Sequence, residues 1–170
     1  GEAEDLMDTD ELVEAACTEI IEQTQQRRSV LVFTTGVRHG HHIAESLRTL
    51  TGSEVGMVFG ETSSEDRDQV LADFKAGKLK YLVNVNVLTM GFDAPNIDCV
   101  AMVRPTMSPG LYYQMVGRGF RLFEGKENCL VLDFGGNVLR HGPVDAIRVS
   151  EPRIKGKGEA PAKQCPECQS

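Results

Sequence analysis

Gln114, Arg118 and Arg121 stand in the run Tyr113-Gln-Met-Val-Gly-Arg-Gly-Phe-Arg. On a helix, positions three and four apart share a face, so an amide and two guanidiniums would point the same way. Two arginines on one face repel unless an anion lies between them, and the guanidinium fork suits phosphate oxygens. Gly117 and Gly119 flank Arg118 and would let a ligand or another backbone come close. The spacing reads as a phosphate clamp. Taken in isolation, the same run could be a surface helix whose arginines are solvated or paired with acids.

A second run lies upstream, Asn84-Val-Asn-Val-Leu-Thr-Met-Gly-Phe-Asp-Ala-Pro95, with Thr89, Gly91 and Asp93 at alternating positions. A threonine hydroxyl can bond a phosphate, glycine permits close backbone approach, and a loop aspartate can accept from a ribose hydroxyl. Ordinary turns use the same residue types, so the run gains meaning only beside the first.

The elements that must hold these runs follow from periodicity. Leu12 to Gln26 has helical spacing, and Ser29–Thr34 is a short apolar run long enough for a buried strand. A helix follows from about Arg38 to Leu50, then a strand at Val55–Phe59. Ser63 begins the next helix, with Asp66 three residues on in a capping-box arrangement. Further strands are expected at Tyr81–Val85, Cys99–Val103 and Asn128–Phe134, with a helix from Ser108 to about Gly117 before the last. Continuous apolar strands alternating with helices predict an α/β fold, a parallel sheet covered by helices on both faces. Ligands gather at the carboxyl ends of such strands. Three segments are expected: an acidic connection and helix over 1–28, the α/β domain over 29–150, and a flexible linker with a cysteine pair over 151–170.

Composition narrows the class. With 41% hydrophobic and 25% charged residues in 170, the chain has the make-up of a globular domain. No apolar run approaches a membrane span and no signal-peptide pattern opens the sequence, so no membrane partner and a cytoplasmic location are expected. The net charge of −7 is local. Residues 1–14 hold seven acids and no base, and removing them leaves 18 acids against 18 bases. The basic excess that often marks a nucleic-acid binder is lacking, so any such contact must be local. The five cysteines do not form a disulfide framework. Cys17, Cys99 and Cys129 read as core residues. Cys165-Pro-Glu-Cys168 has the spacing of half a tetrahedral zinc site, or of a redox pair. His39, His41 and His42 read as exposed, and His141 as structural.

From Val30 to about Pro143 the chain resembles the second, C-terminal RecA-like lobe of superfamily-two helicases and translocases. Val30-Leu-Val-Phe-Thr-Thr resembles the motif that opens this lobe. Leu88-Thr-Met-Gly-Phe-Asp-Ala-Pro is similar to the family's Thr-x-Gly-x-Asp motif, and Gln114-Met-Val-Gly-Arg-Gly-Phe-Arg to its Gln-x-x-Gly-Arg-x-x-Arg arginine-finger motif. The resemblance implies that Arg121 is the arginine finger for ATP bound on the other lobe. Arg118 would sit on the same phosphates, and Gln114 would help place the attacking water. Asp93 and the backbone at Gly91 would lie near the ribose. Thr89, and more loosely Thr35, Arg38 and Thr62, would touch the nucleic-acid backbone. The sub-pattern Leu132-Asp-Phe-Gly-Gly-Asn-Val-Leu-Arg-His-Gly-Pro143 and the cysteine tail resemble the bacterial RadD-like helicases of DNA repair.

The resemblance implies ATP and Mg2+ as cofactors, Zn2+ in a longer protein if Cys165 and Cys168 are half of a ribbon, and DNA, a first RecA-like lobe and repair proteins as partners. No Gly-x-x-x-x-Gly-Lys-Ser/Thr loop occurs in the sequence; Gly77-Lys78 and Gly125-Lys126 lack that context. The expectation is half an enzyme, inactive alone. The alternatives are the motor lobe of a type I restriction enzyme, a non-catalytic RecA-like binding module, and RNA rather than DNA as the track.

Overall fold

The computed structural model describes residues 7–86 and 93–144. Its elements are α1 (Asp10–Gln23), β1 (Val30–Thr34), α2 (Val37–Thr51), β2 (Val55–Val58), α3 (Ser64–Lys75), β3 (Tyr81–Asn84), β4 (Cys99–Val103), α4 (Pro109–Gly117), β5 (Leu130–Asp133) and α5 (Asn137–His141). The five strands form one parallel sheet in the order β2-β3-β1-β4-β5. Central β1 aligns Val30 with Tyr81 on one side and with Cys99 on the other. β1 and β4 are buried along their whole length, whereas β5, at the sheet's edge, is half-buried.

Strand residues alternate between two cores, as the period of two demands. Val30 and Val32 face α1 and α2, packing with Val13, Cys17 and Ile20 and with Ile43, Ala44 and Leu47. Leu31 and Phe33 face α3 and α4, packing with Phe74 and with Tyr112, Met115 and Val116. The α/β layering expected from the apolar runs is therefore present. Because every strand runs the same way, the segments leaving β1, β3, β4 and β5 all emerge along one edge.

Boundaries moved where side chains took over backbone bonding. Thr9 caps α1 by accepting from the Leu12 amide at 3.4 Å, and Thr24 closes it by donating its hydroxyl to the Ile20 carbonyl at 2.6 Å. The helix thus ends at Gln23, short of Gln26. β2 stops at Val58 because the Phe59 amide donates to Thr62 Oγ1 at 3.0 Å, folding the chain into a turn. Ser63 caps α3, accepting from the Asp66 amide at 3.1 Å while its hydroxyl donates to the Asp66 carboxylate at 2.8 Å.

The histidine expectation needs correction. His41 is exposed, but His39 is fully buried, because it falls one turn before Ile43 on the inner face of α2. Its Nδ1 lies 2.8 Å from Thr35 Oγ1.

Candidate functional site

α4 begins where Ser108 accepts from the Leu111 amide at 3.2 Å, with Pro109 in the first turn, where no amide is needed. Tyr112, Met115 and Val116 are buried against the sheet, leaving Gln114 on the exposed side. Arg118 is the C-cap and keeps helical angles (φ −63°, ψ −27°), so it extends one turn beyond Gln114. The helix does not reach Arg121, a correction to the single shared face expected for all three residues. Gly117 ends the regular pattern. The amides of Arg118, Gly119 and Phe120 then bond carbonyls three residues back, at 3.0–3.3 Å, and the chain turns away.

Gly119 makes that turn possible by close approach. A Cβ there would lie 2.1 Å from Cys129 Sγ and 3.3 Å from Val100 Cγ2. Any side chain at this position would have to displace Cys129, just before β5.

Beyond the turn, Arg121 Nη1 lies 3.2 Å from Asp93 Oδ1. The two runs singled out by their residue types are thus brought together in space. Both partners are more than half exposed (58% and 62%), so the pair contributes about 0–1 kcal/mol and either side chain can exchange it for a stronger ligand. Asp93 is anchored by the residues on its C-terminal side. Ala94 and Ile97 are buried against the sheet, and Asn96 Nδ2 donates to Ser29 Oγ at 2.8 Å. The Asp98 carboxylate accepts from the amides of Arg28 and Ser29 at 2.9 and 3.0 Å. Thr89 and Gly91 lie outside the described residues.

The other three candidates for nucleic-acid contact each have a partner within the chain. Thr35 shares a hydrogen bond with His39, and Thr62 Oγ1 accepts from the Phe59 amide. Arg38 Nε donates to Asp8 Oδ2 at 2.7 Å, and His42 Nδ1 lies 2.8 Å from the other Asp8 oxygen. Burial works against the charged form of Asp8, but the bonds from His42 and Arg38 and the fields of His39 and His42 hold its carboxyl below the usual value. Arg38 itself remains mostly exposed.

Sequence reasoning missed Asn137. It is fully buried, accepts from the Thr106 amide at 2.8 Å, and donates to the Arg104 carbonyl at 2.8 Å and to Asp133 Oδ1 at 2.9 Å. One amide therefore fastens the segment after β4, which leads into α4, to the segment after β5. Gly-Gly-Asn after a strand signals a turn, but partners more than thirty positions away leave no local trace. Asn137→Ala should lower stability by about 3 kcal/mol, since it strands buried polar groups at roughly 1–3 kcal/mol each. Urea denaturation of this chain measures it.

Arg104 was also missed. It follows β4, its Nη1 donates to Asn86 Oδ1 just after β3, and burial pushes its pKa below the ordinary guanidinium value. His141 Nε2 lies 2.7 Å from the Thr106 carbonyl and its ring stacks on Tyr112, a packing role. Burial pushes the Cys99 thiol up to about 12 and that of Cys129 to about 11, so both stay protonated. Cys165 and Cys168 lie outside the described residues, among which no cluster of three metal-ligating side chains occurs and no helix is long and apolar enough to cross a membrane.

The donor set, one guanidinium at the end of α4, a second three residues further on and an exposed carboxylate beside it, has the chemistry to bond phosphate oxygens and a hydroxyl.

Residues 11–123 match the family model described as helicase conserved C-terminal domain. The candidate mitochondrial ATP-dependent helicase irc3 of Schizosaccharomyces pombe is 45% identical over 120 residues, covering 71% of this chain and 20% of that protein. The candidate ATP-dependent helicase IRC3 of Saccharomyces cerevisiae is 37% identical over 136 residues, covering 77% and 19%. The chain thus spans about a fifth of the length of these curated relatives. The DEAD-box protein SrmB of E. coli, solved bound to the regulator of ribonuclease activity RraA, superposes with a TM-score of 0.66 at 21% identity over 80% of this chain and 81% of that one, a likeness of fold. The sheet order, the two motif segments and the family match agree: this chain belongs to the helicase conserved C-terminal domain family and is the C-terminal RecA-like lobe of a superfamily-two helicase.

Proposed function

We propose that this lobe works within an ATP-dependent DNA helicase or translocase of DNA repair, one similar to the RadD-like group. The observation that carries the reading is the exposed Arg121–Asp93 pair, which joins the two motif segments where a nucleotide on another lobe can meet both. ATP with Mg2+, held by that other lobe, supplies the scissile phosphate. Arg121 donates to its terminal phosphate group, Arg118 adds a second cation, and Gln114 orients the attacking water. Asp93, released from Arg121, accepts from the ribose with the backbone at Gly91 beside it.

Phosphoryl transfer spreads charge over the equatorial oxygens, so fixed guanidinium donors lower its barrier. Since these donors sit on one lobe and the nucleotide on the other, turnover requires the lobes to close. Thr89 binds the nucleic-acid backbone four residues from Asp93, so one short segment of sequence senses both ligands and couples closure to movement. Thr35, Arg38 and Thr62 extend the backbone contact, with Arg38 exchanging Asp8 for phosphate. Such contacts carry no sequence information.

Two measurements test this. The isolated 170-residue chain should show no ATPase, because it has no phosphate loop; turnover in a pure sample would refute the division of labour. The full-length protein should hydrolyse ATP with stimulation by single-stranded or branched DNA greater than by RNA. The reverse preference would reassign the track.

A further inference from the structure

Arg121 stands in a stretch, from Phe120 to Cys129, with neither helix nor strand. A cationic donor on such a segment is useful only if its backbone is fixed, because a misplacement of about 1 Å can cost on the order of 100-fold in rate. Among the described residues no backbone amide reaches the carbonyls of Gly119 or Arg121. Both are instead taken by one side chain. Lys126 Nζ lies 2.6 Å from the Gly119 oxygen, 2.7 Å from the Arg121 oxygen and 3.3 Å from the Pro95 oxygen.

An ammonium has three protons, and here each has a carbonyl to receive it. Two of those carbonyls bracket the turn that presents Arg121. The third lies two residues beyond Asp93. The same cation therefore grips the backbone on both sides of the Arg121–Asp93 pair. We propose that Lys126 is a positioning residue that sets Arg121 against Asp93 and so aims the guanidinium at the phosphate.

Two further observations fit. Lys126 is half-buried, and desolvation lowers its pKa, opposed by Cys129 and Asp98. An amine solvated at the surface would not be drawn inward unless the three carbonyls compensated it. The flanking Phe120, Leu122 and Phe123 are all at least half exposed, so their packing does not fix the turn.

The inference rests on the reading of Arg121 as the finger, and the experiment separates the two. In the full-length protein, DNA-stimulated ATPase is measured for wild type, Lys126→Met, Lys126→Arg, Arg121→Ala and the double variant Lys126→Met/Arg121→Ala, with Tm for each. Lys126→Met should lower kcat about 10- to 100-fold, with KM for ATP changed less than about threefold. Lys126→Arg, which keeps a charged donor, should recover part of the loss. Adding Lys126→Met to Arg121→Ala should cost no further turnover, because Lys126 acts through Arg121.

A Lys126→Met protein with kcat within about twofold of wild type, beside an Arg121→Ala protein that has lost turnover, overturns the positioning role alone. Independent losses that multiply in the double variant also overturn it. Unchanged turnover in Arg121→Ala overturns the finger and the inference with it. If Lys126→Met fails to fold, Lys126→Gln, which keeps two donors, gives the same comparison.

Discussion

Arg121→Ala in the full-length protein should lower kcat for ATP by roughly 10³- to 10⁵-fold, the range an arginine finger contributes. The loss should fall on kcat rather than on DNA affinity, because the role proposed for Arg121 is to meet the nucleotide and not the track. Folding should be almost untouched. The side chain is 58% exposed and its guanidinium makes a weak pair with Asp93, so truncation costs no more than a surface ion pair, about 0–1 kcal/mol. Steady-state ATPase, DNA binding by anisotropy and thermal melting together check this. Turnover within about tenfold of wild type would count against the assignment. Arg121→Lys should rescue little, since an ammonium cannot reproduce the bidentate fork.

Gly135→Ala should cost about 3 kcal/mol, the upper end of what overpacking does. A Cβ at Gly135 would lie 2.3 Å from the Arg104 oxygen, 2.5 Å from its carbonyl carbon and 2.7 Å from the Pro105 nitrogen. These are backbone atoms and cannot rotate aside. Relief requires the chain leaving β4 to move away from the chain leaving β5. That movement would also break the Asn137 bonds to Arg104 and Thr106. Gly60→Ala is the matched control, because nothing lies within 4 Å of a Cβ there. Its stability should stay within about 0.5 kcal/mol of wild type by urea denaturation. Equal effects from the two substitutions would mean that the chain at Gly135 has room to yield.

Much of the fold was legible because burial leaves a mark on every strand. Val30–Thr34 and Cys99–Val103 are buried throughout and almost wholly apolar, which only a sheet covered on both faces requires. The ends of elements were less legible. Thr24 and Thr62 each divert a helix or strand by a hydroxyl bond that competes with the regular backbone pattern, and a threonine can equally well sit inside either element. His39 misled for a related reason. A polar residue four positions before Ile43 looks exposed by type, yet helical geometry places it on the buried side.

The candidate site divides along similar lines. The residue types at Gln114, Arg118, Arg121 and Asp93 state a chemistry of phosphate and hydroxyl contact, and side-chain chemistry is local information. By itself the sequence determined the parallel α/β layering, the family and the identity of the charged groups. Only the tertiary structure decided that Arg121 leaves α4 rather than riding on it, because that depends on Gly119 fitting against Cys129. Only it joined Arg121 to Asp93, and brought Lys126 and Asn137 to their acceptors. The physical reason is that a buried polar side chain is specified by its partners. Those partners are largely backbone carbonyls and amides, which almost every residue carries.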